Sequence, residues 1–181
     1  MKQTLLLLIF CVYSLSSMSQ YNRTIGIDSS ANYVFTVDYD SLKSTYHTTA
    51  YMSNSIFYHK QISNMKSCDL YGKLPAIKQQ IVEILISCLK QKVSNALQSN
   101  YRMTVFFLPK HNGEIADVWI RWAGKQRIFS TEELDKLFLK LKTIKINFND
   151  LSATDTSYCQ YLSFGILKKD WEYILNSTKG E

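Results

Sequence analysis

Cysteine and histidine are the residues of this chain that could form a nucleophilic site, because a thiolate beside an imidazole can attack an acyl group. Cys68 is followed directly by Asp69, and the three histidines are His47, His59 and His111. Their spacing matches no motif of a cysteine enzyme, and a cysteine and a histidine without such a motif are weak support for catalysis. Cys68 is therefore the nucleophile only of an alternative hypothesis, in which the protein is a cell-envelope hydrolase.

Aspartates form two close pairs that could supply the acid and the base of the same alternative hydrolase. Asp38 and Asp40 lie at the end of a predicted strand, and Asp150 and Asp155 bracket a polar loop. Aspartate is also a preferred residue of turns, and that role explains both pairs more simply. The sequence has no Gly-rich phosphate loop, GxSxG elbow, HExxH helix or CxxC pair. We therefore expect no catalytic residues, no metal site and no cofactor.

Aromatic residues indicate a different chemistry, which is stacking on a sugar or holding a peptide. The early predicted strands are crowded with Tyr33, Phe35, Tyr39, Tyr46, Tyr51, Phe57 and Tyr58. Later strands add rings too, and we expect the binding residues to be Trp119, Phe106, Tyr51 and Phe57. The alternative, which we favour for the aromatic group as a whole, is that these rings fill the second face of a sheet, since aromatic side chains dominate cores as well as interfaces.

Strands and two helices must position these residues. Runs of aromatic and β-branched residues predict strands over residues 32–39, 45–52, 56–58, 102–108, 114–122, 143–148 and 158–167. Asn112-Gly113 between two of these runs predicts a hairpin. Residues 20–30 read as an irregular lead-in, and the rings and aliphatic groups of residues 171–175 read as a final apolar patch.

Apolar residues at three- and four-residue steps predict a helix over residues 75–97, with Pro75 in its first turn. A capping box, Ser130-Thr131-Glu132-Glu133, begins a second helix over residues 131–142. The predicted fold class is α+β: a mainly antiparallel β-sheet with these two amphipathic helices packed on one face.

The first residues, MKQTLLLLIFCVYSLSSMSQ, have the layout of a secretory signal peptide. Lys2 supplies a positive charge, and the apolar run that follows is shorter than the roughly 20 residues of a transmembrane helix. We expect cleavage after Ser19, so that residues 1–19 are the signal peptide. Residues 20–181 would then form one domain, located in the periplasm or outside the cell.

Cysteine usage agrees with export but leaves the pairing open. Cys11 lies inside the apolar run and follows Phe10, so we interpret it as part of the signal peptide and not as a lipidation site. Cys68, Cys88 and Cys159 would remain after cleavage, which allows one disulfide and one free thiol in an oxidising compartment.

Composition excludes two classes of protein. Hydrophobic residues make up 46% of the chain and charged residues 20%, so the chain can bury a core and is not disordered by composition. The formal net charge is +6, but the lysines are scattered. Their densest group surrounds the second predicted helix and is typical of a solvated helix face, so we expect no nucleic-acid partner.

The order from residue 102 to residue 148 is strand, Asn-Gly turn, strand, capped helix, strand. It resembles the core of the C-terminal domain of TonB-type proteins, with MTVFFLPKHNGEIADVWIRW as the hairpin. Energy-transducing TonB proteins have a long Pro-rich spacer, whereas this chain has two prolines, Pro75 and Pro109. The resemblance therefore implies a fold, and strand addition at a sheet edge as a means of binding protein, but not energy transduction.

Over its full length the chain is more similar to a family of small secreted proteins from Bacteroides and relatives, which carry a domain of unknown function. The similarity lies in YVFTVDYDSL, FFLPKHNGEIADVWI, FSTEELDKLFLKLKTIKINF and YCQYLSFGIL. It implies a fold and a location but no chemistry. We therefore expect a non-enzymatic binding or interaction module that recognises a protein or a cell-envelope ligand.

Overall fold

The computed structural model describes residues 22–29, 32–59, 62, 65–89, 102–125, 127–150, 152 and 154–178. The predicted signal peptide and residues 90–97 of the first predicted helix lie outside these residues. In the part of the chain that is described, no helix has the length and apolar character needed to cross a membrane.

Six strands form the main sheet, and two short strands form a small second one. The strands are β1 (Asn22–Ser29), β2 (Tyr33–Asp40), β3 (Thr45–Met52), β4 (Met65–Lys66), β5 (Met103–Pro109), β6 (Ile115–Ala123), β7 (Tyr158–Cys159) and β8 (Leu162–Ile166). The order in the main sheet is β1-β2-β3-β6-β5-β8, and every neighbouring pair is antiparallel. The small sheet pairs β4 with β7 in parallel.

Helices α1 (Leu74–Leu89), α2 (Thr131–Leu141) and α3 (Lys168–Thr178) complete the fold. The stripes that predicted α1 and α2 are buried, including Ile81 and Leu85 on α1 and Leu137 on α2. They join one core with residues of the central strands such as Val105 and Ile120. The predicted α+β class, with a mostly antiparallel sheet, is confirmed.

The predicted helix cap and hairpin turn are also present. Ser130 caps α2 by accepting from the Glu133 backbone N–H, while the Glu133 side chain accepts from the Ser130 N–H. In the β5–β6 turn, Gly113 has a φ of +85°, a conformation that glycine adopts without steric cost. The Lys110 N–H donates to the Glu114 carbonyl and closes the hairpin.

Residues 143–148 were predicted as a strand and form none, so the TonB-like core is not confirmed. The alternation itself is real, since Ile144, Ile146 and Phe148 are all buried. The segment reaches the hairpin through the Ile146 N–H, which donates to the Gly113 carbonyl. Burial between α2 and the hairpin turn therefore produces the period of two without a β-ladder.

Other strand boundaries differ for reasons of pairing. Part of the lead-in 20–30 forms β1, an edge strand with a register shift between Thr24 and Gly26. Residues 56–58 form turns instead of a strand. The predicted strand 158–167 divides into β7 and β8, which pair in different sheets, and the apolar patch 171–175 lies within α3.

A disulfide bond lies beside the small sheet. Cys68 and Cys159 are bonded, with their Cα atoms 6.0 Å apart and a sequence separation of 91, and Cys88 is free. The bridge lies beside the β4–β7 pair, where the Gln160 N–H donates to the Lys66 carbonyl. It therefore ties the segment that follows β3 to the segment that precedes β8.

Replacing both bridged cysteines, in the variant Cys68→Ala/Cys159→Ala, is expected to lower the free energy of unfolding by about 2–5 kcal/mol, because the unfolded chain loses a constraint over a long loop. Urea denaturation followed by circular dichroism measures this loss. Cys88→Ala, which leaves the bridge intact, is the matched control and should cost less. An equal loss in both variants would show that the bridge contributes nothing beyond side-chain packing.

Candidate functional site

The face of the main sheet opposite α1 and α2, called here the outer face, carries the candidate site. Directly paired residues point to the same side of a sheet. One row across the outer face is Tyr51, Trp119 and Phe106, and the next row is Thr49, Arg121 and Thr104. Apolar rings and a central arginine thus lie side by side on three adjacent strands.

Six rings form a cluster at one end of the outer face. Its members are Tyr51, Phe57, Tyr58, Phe106, Trp119 and Tyr161, called here the aromatic cluster. Phe57 stacks on Trp119 with ring centroids 4.1 Å apart, and Phe106 lies 5.3 Å from Trp119 and nearly parallel to it. Tyr161 meets the edge of Phe57 at 5.9 Å. All four predicted binding residues therefore belong to one cluster.

The cluster is partly a second core, as the favoured alternative proposed. Trp119 is only 3% exposed and lies beneath Phe57, so its ring face is not available to a ligand. Phe106, Tyr51 and Phe57 are half-buried. Tyr161 is 48% exposed, and the sequence reasoning did not single it out. A ligand would meet the rim of this cluster and not its centre.

Asp117 holds the cover of the cluster in place. This carboxylate is only 1% exposed, and its Oδ2 accepts from Ser55 Oγ at 2.7 Å and from the Phe57 N–H at 3.0 Å. Ser55 Oγ in turn accepts from the Tyr58 N–H at 3.1 Å. A buried charge needs such donors. The segment 53–59 therefore bends towards the Asp117 carboxylate and does not continue the β3–β6 ladder. That is the reason residues 56–58 are not a strand.

Beside the cluster, the outer face opens into a groove of about 900 Å³. Its lining includes Lys43, His47, Arg102, Thr104, Phe106 and Arg121. Phe106 belongs both to this lining and to the aromatic cluster, so the two features are continuous. We call this groove the outer groove.

Charge in the outer groove is mostly positive. Asp40 also lines it, but this carboxylate lies 4.0 Å from Lys43 Nζ and accepts from the backbone N–H groups of Leu42 and Lys43. Arg121 Nε is buried, and no hydrogen-bond partner for it occurs among the described residues. Burial and, secondarily, the charge of Arg121 lower the pKa of His47 below its usual 6.5. The groove thus offers cationic and neutral donors to an anion.

Of the residues of the alternative hydrolase, Asp40 and His47 line the outer groove, whereas Cys68 does not. Cys68 Sγ is bonded to Cys159 Sγ, so the proposed nucleophile is not a thiol in this structure. Asp40 has the turn role that the sequence suggested. Within the described residues, no group of three or more His, Cys, Asp or Glu side chains is arranged to hold a metal ion.

His111 lies in the turn of the β5–β6 hairpin, but its side chain is largely buried. Its side chain is 12% exposed, and its Nε2 lies 3.2 Å from Asp150 Oδ2. Its Nδ1 lies 3.6 Å from Asp155 Oδ2, and Asp155 also accepts from Lys66 Nζ at 2.8 Å. Hydrogen bonds from His111 and Lys66 respectively are the main causes that lower the pKa values of Asp150 and Asp155. These contacts fasten the loop around residue 152 to the hairpin.

Comparison with known proteins supports the fold. No family profile and no curated protein matches the sequence. Among solved structures, the fold is similar to that of a DUF5043 family protein from Bacteroides uniformis, with a TM-score of 0.50 and 17% sequence identity. The similar region covers 81% of this chain and 92% of that protein. At this identity the similarity shows a shared fold.

Ser55→Ala tests whether Asp117 fixes the segment 53–59. The variant removes one donor from a buried carboxylate and one acceptor from the Tyr58 N–H, so we expect a loss of about 1–3 kcal/mol in the free energy of unfolding. Ser53→Ala, an exposed serine of the same segment, should change stability by no more than about 0.5 kcal/mol. Urea denaturation measures both variants, and equal losses would contradict the role given to Asp117.

The His47 ring should titrate below pH 6.5, the value from which its pKa is lowered. The folded protein then binds fewer protons than the unfolded chain, so the contribution of His47 to stability is present above that pH and is lost as the pH falls through the folded pKa. Arg121→Gln should raise the pKa of His47 only part of the way towards 6.5, because the ring remains buried. Imidazole NMR titration measures both values, and a pKa of His47 that falls in this variant would contradict the assignment.

Proposed function

We propose that this protein is an exported, non-enzymatic binding module whose ligand lies in the outer groove. Arg121, a charged residue that lines this groove, carries the proposal. Arg121 lies on β6, between β3 and β5 in the middle of the sheet. A guanidinium group has five N–H donors, and an anionic ligand in the groove accepts hydrogen bonds from those that face it.

Two observations support export. The N-terminal sequence has the layout of a signal peptide, and a Cys68–Cys159 bridge suits an oxidising compartment. The resemblance in sequence to small secreted Bacteroides proteins, together with the fold shared with the DUF5043 protein, supports membership of that family as part of the proposal. The partner would then be a component of the cell envelope or its surroundings.

Binding should depend on the outer face and not on the rest of the surface. The test is to immobilise the protein and to apply the envelope of the producing cell, separated into protein and carbohydrate fractions. We expect one fraction to be retained, and Arg121→Gln to reduce retention at least about tenfold, which corresponds to roughly 1.4 kcal/mol.

Tyr71→Ala is the matched surface control, because Tyr71 is 89% exposed and precedes α1, away from the outer groove. It should retain as much material as the unaltered protein. Circular dichroism of each variant confirms that the fold is kept. Retention that is unchanged by Arg121→Gln, or no retention from either fraction, would contradict the proposal.

A further inference from the structure

We infer that the ligand of the outer groove is an acidic oligosaccharide, whose carboxylate is bound by Arg121 and Arg102 while a sugar ring packs against Phe106. This inference rests on the proposed function and adds the chemical class of the ligand. Four observations support it: the absence of free backbone groups, the positive charge of the groove, its hydroxyl-binding groups, and its aromatic rim.

Backbone groups are not available on the outer face. β3, β6 and β5 are interior strands of the sheet, and each is paired on both sides. A peptide that binds by strand addition needs a free sheet edge, so it would find no backbone partners here. Recognition in the outer groove must come from side chains, and this favours a ligand that is rich in hydroxyl and carboxylate groups.

The positive charge of the outer groove favours a ligand that carries negative charge. Arg121 and Arg102 come from adjacent strands or their ends, and Lys43, which lies 4.0 Å from Asp40, offsets the charge of that carboxylate. The guanidinium group has a planar set of donors that matches a carboxylate. Asp40 is the acidic residue of the lining, and it is already engaged by Lys43 and by the turn that follows β2. A carboxylate therefore meets net attraction in the groove.

Hydroxyl-binding groups line the same groove. Thr45 Oγ1 lies 3.5 Å from His47 Nε2, and Thr104 is paired across the ladder with Arg121. Hydroxyl and imidazole groups both donate and accept hydrogen bonds. They suit a polyhydroxylated ligand better than an aliphatic acid, which would leave these polar groups unpaired.

An aromatic side chain at the rim of the groove offers a surface on which a sugar ring can pack. Phe106 lines the groove one row from Arg121, at a diagonal position across the β5–β6 ladder. Diagonal neighbours lie about 7–8 Å apart, a spacing that one sugar ring spans between its apolar face and a carboxylate. The groove volume of about 900 Å³ lies near the upper end of the roughly 300–1,000 Å³ found for ligand pockets, which favours several sugar units over one.

Isothermal titration calorimetry on protein purified from an exporting host tests the inference. The probes are tetragalacturonate, tetramannuronate, the methyl ester of each, and a hexaglutamate peptide. We expect at least one uronate tetramer to bind, and the corresponding uncharged ester and the peptide to bind at least about tenfold more weakly. Arg121→Gln and Phe106→Ala should each weaken uronate binding several-fold, whereas Lys136→Gln on the exposed side of α2 should leave it unchanged.

Every other result of the calorimetry contradicts one stated part of the inference. Equal binding of the methyl ester overturns the role of charge, and tighter binding of hexaglutamate overturns the carbohydrate class. In both cases the outer groove still binds a ligand, so the proposed function stands. Binding of no probe overturns the inference, and the envelope-retention experiment then decides the proposed function independently. Loss of binding in Lys136→Gln would place the ligand outside the groove.

Discussion

The buried carboxylate of Asp117 is the constraint on which the organisation of the outer face depends. A charge in the middle of a sheet is costly unless donors surround it, and here Ser55 Oγ and the Phe57 N–H converge on one oxygen. Those two hydrogen bonds turn the chain back over the sheet after β3. The ring of Phe57 is thereby placed on Trp119, so one polar requirement determines where the apolar cover lies.

That cover is incomplete. The aromatic cluster closes one end of the outer face, while the rows that carry Arg121 and His47 remain open as the outer groove. On the inner face, α1 and α2 cover the sheet in a core of aliphatic and aromatic side chains. The disulfide fixes the segment that bears Tyr161 beside the cluster. A rigid scaffold with one open, basic and aromatic face is typical of a preformed ligand site.

Patterns of local origin were predictable from the sequence, and contacts between distant residues were not. The capping box at Ser130 and the turn at Gly113 are encoded by a few adjacent residues, so both were predicted correctly. The strand predicted at 143–148 has the right alternation, but only tertiary packing decides that it forms no β-ladder with the described residues. Tyr51, Trp119 and Phe106 meet because directly paired residues on adjacent strands share a face, whereas Phe57 reaches them from the turns that follow β3. Asp117 was missed as an anchor because its partners lie about 60 residues away.

Hydroxyl-radical footprinting with and without the retained envelope fraction tests the central claim, which is that the outer face is the binding surface. The ligand is expected to lower the oxidation of Phe106 and Tyr161, which lie on the outer side, and to leave Tyr71 and the exposed Leu139 of α2 unchanged. Protection of Tyr71 or Leu139 with unchanged oxidation of Phe106 would contradict the account.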